Sequence, residues 1–230
     1  MERNNMARTA TIAAGQSGSR ESALATNKVL RNTYILLSMT LLFSAATAGL
    51  SMAFNLPHPG LILTLVGYFG LLFATHKLRN SGWGIVAVFG LTGFMGLTLG
   101  PMLTVYTQAI PNGSELVMTA LGATGAIFLA LSAFVLTTKK DLSFMSGFLM
   151  VGTIGVFVVS MLGLFFDFSA FQMMISTVWI IVSSGWILWQ TSEIINGGER
   201  NYISATVMLY VSLYNIFVNL LMILGMGGND

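Results

Sequence analysis

Seven apolar runs, joined by links of no more than about fifteen residues, constrain this 230-residue chain more than any other feature. They cover roughly residues 33–54, 61–75, 82–99, 116–137, 142–165, 171–188 and 203–224. About twenty residues at 1.5 Å each cross a hydrocarbon core of roughly 30 Å. The expected fold is therefore an all-α membrane protein, with a polar segment at residues 1–31 and one seven-span domain at residues 32–230. Composition agrees, with 55% apolar residues, 8% charged residues and a mean hydropathy of +0.80. Links this short leave no room for a catalytic domain outside the membrane.

The charges supply a check that does not depend on hydropathy. Arg3, Arg8, Arg20, Lys28 and Arg31 precede the first run, Lys77 and Arg79 follow the second, Lys139 and Lys140 the fourth, and Arg200 the sixth. All ten basic residues then fall on one side, whereas the links after the first, third and fifth runs have none. The positive-inside rule places the amino terminus in the cytoplasm and the carboxyl terminus on the far side. Missing a single run would break this alternation. Residues 1–31 carry five basic and two acidic side chains and no sustained apolar period, so they read as a mobile tail. Such a tail is either a solubilising extension or a handle for a partner. Ala46-Thr47-Ala48 resembles a cleavage site, but the polar leader ahead of it is too long for a signal peptide, and the first run reads as an anchor. With no cysteine, disulfides and thiolate metal sites are excluded.

Small residues run down the interior segments. Gly90, Gly93, Gly96 and Gly100 mark the third run, ending at Pro101; Gly122 and Gly125 mark the fourth, and Gly147, Gly152 and Gly155 the fifth. Such residues let helix backbones approach closely in lipid. The Gly96–Gly100 pair is compatible with a homo-oligomer, though the same spacing serves contacts within one chain.

Enzymatic patterns are missing. His58 and His76 lie at the ends of runs, the only Gly-x-Ser-Gly is in the tail, and neither HExxH nor a P-loop occurs. We expect no enzyme, no metal, no cofactor and no nucleic-acid partner. The polar residues of the last two runs are the better lead. Ser212, Asn215 and Asn219 fall on one face of the seventh run, and unpartnered amides are costly in hydrocarbon, so this helix should sit at the centre of the bundle. Ser176, Ser183 and Gln190 recur every seven residues on the sixth run, with Glu193 a turn later. Counting back from the short NGGER link places Gln190 and Ser212 within about two helical turns of one depth. They could make interhelical hydrogen bonds of roughly 1 kcal/mol each, or form a constriction or proton-sensitive latch. The roles of Glu115, Asp167 and Glu193 stay open; Asp167 reads as a solvated loop acid.

The stretch LYVSLYNIFVNLLMILG, Leu209 to Gly225, resembles the final-span signature of the Bax inhibitor family of seven-span proteins, and GFMGLTLGPML, Gly93 to Leu103, its third-span Gly-Pro motif. The resemblance implies six helices around a central seventh. It is nearest to a bacterial branch associated with the FtsH membrane AAA protease as substrate and modulator, which implies that protease as a partner and an inner-membrane location. Other branches are linked to pH-dependent calcium leak, the alternative reading. Members with a leak carry an aspartate pair on the last two spans. Here those positions hold Gln190 and Ser212, which cannot ionise, so a dyad sharing a proton cannot form.

Overall fold

The computed structural model describes the backbone of residues 2–163, 165–166 and 168–227, and the side chains of these from residue 24 onward except residues 169 and 227. The helices are α1 (Glu2–Ala53), α2 (Leu61–Leu78), α3 (Trp83–Ala109), α4 (Gly113–Thr138), α5 (Met145–Leu162), α6 (Gln172–Ile195) and α7 (Tyr202–Gly227). Among the described residues, seven helical stretches are long and apolar enough to cross a bilayer, the first being Leu24–Ala53. Asp167 lies outside the described residues.

Two elements depart from the sequence reading. The backbone of residues 2–31, expected to be a tail, is helical and continuous with the first span. The third helix also runs past Pro101 to Ala109, where the sequence suggested a loop. Proline removes the N–H that would pair with the carbonyl four residues back, here that of Leu97. The Ser51 hydroxyl of α1 donates to this freed carbonyl at 2.9 Å. The polar gap is closed from a neighbouring helix, and α3 can continue.

α7 packs against α1, α2, α3, α4 and α6, while α5 packs on α6 from outside. α3 shares the centre with it: half of its span is buried, against 44% for α7 and only 6% for α2. Tyr210 of α7, 1% exposed, joins three helices. Its hydroxyl donates to Thr92 O of α3 at 3.3 Å and shares a 2.6 Å hydrogen bond with Ser44 Oγ of α1.

The glycines divide sharply. A Cβ on Gly93 would lie 2.7 Å from the Phe43 ring, one on Gly96 3.0 Å from the Ser44 carbonyl carbon, and one on Gly100 2.9 Å from Ala48 O. Gly96 and Gly100 let α3 press against the α1 backbone, and Gly93 leaves room for the Phe43 ring. Gly122, Gly125, Gly147 and Gly155 have nothing within 4 Å of such an atom, so the packing role expected of the glycines in α4 and α5 does not hold at those positions.

Candidate functional site

The links on the side of Arg79 and Arg200 are tied together before any site is formed. Asn201 caps α7, its Oδ1 accepting from the Ile203 and Ser204 N–H groups, while its Nδ2 donates to Arg79 O at 3.0 Å and to Asn80 Oδ1 at 2.9 Å. Arg79 Nη1 in turn donates to Ser204 Oγ at 3.3 Å. The ends of α2 and α7 are held side by side.

Below this clamp a cavity of about 1100 Å³ opens between α2, α3, α5, α6 and α7. His76, Arg79 and Glu199 line its mouth, and Gln190, Ser212, Ser183 and Asn215 its inner wall. Gln190 is 2% exposed and Ser212 3%. The two positions singled out from sequence thus open onto one cavity. Ser212 Oγ donates to Met208 O at 2.9 Å, so its proton is held by its own helix. Asn219 lies outside the cavity, its Nδ2 donating to Asn215 O at 2.8 Å. Ser176, fully buried, and Gln172 approach Met222 Sδ and help join α6 to α7.

Of the acids whose side chains are described, only Glu199 lines this cavity. Glu115 is exposed in the first turn of α4, and Glu193 does not line the cavity. Glu199 Oε1 accepts from the Asn201 N–H at 2.7 Å. Outside the spans, Asp141 is held below the usual carboxylate range by the Ser143 backbone N–H, which donates to Oδ1. Among the described residues, no three His, Asp or Glu side chains converge as a metal site would require.

Sequence reasoning missed three tryptophans. Trp179, Trp186 and Trp189 of α6 all line the cavity. Trp179 Nε1 donates to Ser160 Oγ at 2.9 Å and Trp186 Nε1 to Thr153 Oγ1 at 2.8 Å, fastening α5 to α6. Indoles in an apolar run look like core or lipid-facing residues. Their seven- and three-residue spacing, in phase with Gln190, was the available signal.

Neutral amides and hydroxyls can donate and accept hydrogen bonds, but they hold no charge to gate an ion. Fold and site together define a multi-pass membrane protein with an internal, mainly apolar cavity. The chain belongs to the Bax inhibitor family, since residues 26–229 match the family described as "Inhibitor of apoptosis-promoting Bax1". It is 53% identical, over 93% of its length and 97% of the relative's, to the protein of Escherichia coli K12 named "Modulator of FtsH protease YccA". An uncharacterised protein of Pseudomonas aeruginosa is 51% identical over 88% of this chain and 90% of its own. An uncharacterised membrane protein of Vibrio cholerae is 46% identical, covering 94% and 96%. None of these relatives is named as an enzyme.

Proposed function

We propose that this chain binds and modulates a membrane-embedded AAA protease of the FtsH type from within the bacterial inner membrane, with its amino terminus in the cytoplasm. The observation that carries the reading is the 53% identity, across nearly the whole chain, to a protein named as a modulator of that protease. A counterpart in another Escherichia coli strain is named an inner membrane protein. The restriction of every Lys and Arg to alternate links supports the orientation.

A AAA protease threads a chain end before it unfolds a membrane domain. On this proposal the segment ahead of the first span is the initiation site, and the α1–α3–α7 core resists extraction, so a slowly removed chain occupies the protease. Shortening the chain to begin near Lys28 should lengthen its half-life and increase its restraint of the protease. Equal degradation of truncated and full-length chains in cells with an active protease would mean that initiation occurs elsewhere.

A second reading, a pH-influenced cation leak, is favoured by the cavity that Gln190 and Ser212 share. Neither side chain can supply the ionisable gate that such a leak requires. Calcium flux through reconstituted protein separates the two readings.

A further inference from the structure

The cavity has an opening that faces lipid. α2 packs on α3 and touches α7, and α5 packs on α6; between α2 and α5 stands the Phe69–Phe157 ring pair at 6.3 Å. Phe73 and Ile154, 68% and 58% exposed, line the cavity beside that gap. In a bilayer, the medium at their level is hydrocarbon.

Its donors are few. The hydroxyls of Thr64, Thr75, Thr98, Thr153 and Ser212 each donate to a carbonyl of their own helix or its cap, and two of the indoles donate to α5 hydroxyls. Among the described lining residues, two buried nitrogens have no partner: Gln190 Nε2 and Trp189 Nε1. Each is costly to leave unpaired. An ordered water needs roughly two to four polar partners, and most of this wall is aromatic or aliphatic.

We propose that the cavity binds one ester-linked phospholipid from the leaflet on the Arg79 side. Its acyl chain enters between α2 and α5 to lie against Phe69, Leu72, Phe94, Phe157 and Val211, and an ester carbonyl accepts from Gln190 Nε2. The depths agree with this placement. Gln190 stands five residues before the end of α6 at Ile195, about 7.5 Å along the helix, where an ester would follow a phosphate held at the mouth. Arg79 spends one donor on Ser204 and has others for that phosphate. Glu199 beside it suits an ammonium headgroup. The volume of about 1100 Å³ lies just above the roughly 300–1,000 Å³ typical of ligand pockets.

The test uses intrinsic fluorescence. The chain has four tryptophans, and Trp83, 69% exposed, lies outside the cavity. Trp83→Phe leaves the three cavity indoles as reporters. Phosphatidylethanolamine with dibrominated, ester-linked chains is titrated into this full-length protein in mild detergent. Quenching should saturate at one lipid per chain. Adding Gln190→Leu should raise the half-saturating concentration about tenfold, one buried hydrogen bond's worth. The ether-linked analogue, which lacks the carbonyl, should bind the Gln190 protein as weakly. Size-exclusion and helicity of the Gln190→Leu protein are compared with the parent; if it does not fold, the ether analogue decides alone. Quenching that never saturates, or that is the same for ester and ether lipids, overturns the proposal. No protease is present, so failure here leaves the protease reading standing, and the reverse.

Discussion

Replacing Gly96 with alanine is the most direct perturbation of the α1–α3 contact. The added Cβ would overlap Ser44 O and Thr47 Oγ1 and lie 3.0 Å from the Ser44 carbonyl carbon. Backbone atoms cannot rotate away, so the helices must part, and a gap of roughly 0.5–1 Å removes a quarter to a half of each contact's attraction. Overpacking of this kind costs about 1–3 kcal/mol. Parting the helices also strains the Ser51 bond to Leu97 O, which adds about 1 kcal/mol. The expected loss is about 2–4 kcal/mol, or roughly 4–16 °C in a protein of this size. Gly122→Ala is the control, because nothing lies within 4 Å of its new atom. It should be neutral or stabilising by about 0.5–1 kcal/mol. Thermal unfolding in detergent, followed by size-exclusion of both variants, measures the difference. Equal shifts for the two, or a change of oligomeric state with Gly96→Ala alone, would refute the packing argument.

Ser51→Ala should destabilise by about 1–3 kcal/mol by leaving Leu97 O unpaired. Adding Pro101→Ala, which restores an N–H for that carbonyl, should recover most of the loss; no recovery in thermal unfolding contradicts the pairing. Reconstituted protein should pass little calcium and show no steep acid dependence. Gln190→Asp with Ser212→Asp should introduce one, because a like-charge pair raises one pKa, so the shared proton is held at low pH and lost as pH rises, roughly between 6 and 8. Leakage by the unmodified protein with a midpoint in that range would contradict the assignment. Reporter fusions should place the amino terminus in the cytoplasm and residue 230 outside; a cytoplasmic carboxyl terminus contradicts the orientation.

The spans were legible because burial in lipid demands long apolar runs, a local property. Gln190 and Ser212 line one cavity; the expectation that they lie near one depth rests on counting from the short link between α6 and α7. The continuation of α3 was not legible. A proline after Gly100 reads as a stop unless a donor replaces the lost N–H, and that donor, Ser51, lies on another helix. Gly122, Gly125, Gly147 and Gly155 misled for a related reason. Small residues permit close approach, but only the neighbour's position decides whether it happens, and at Gly122 or Gly147 no neighbour is there. Tyr210 was overlooked because its hydroxyl matters only through Ser44 and Thr92 on two other helices.

The central claim is physical association with the protease, and co-purification tests it most directly. The full chain, tagged at its carboxyl end and expressed at its natural level, is extracted from native membranes in mild detergent, and the proteins retained are identified by mass spectrometry. We predict that a membrane AAA protease of the FtsH type is retained, and that it is retained more strongly when its proteolytic site is inactivated. Recovery of the chain without that protease, from membranes that contain it in both active and inactivated forms, would contradict the account.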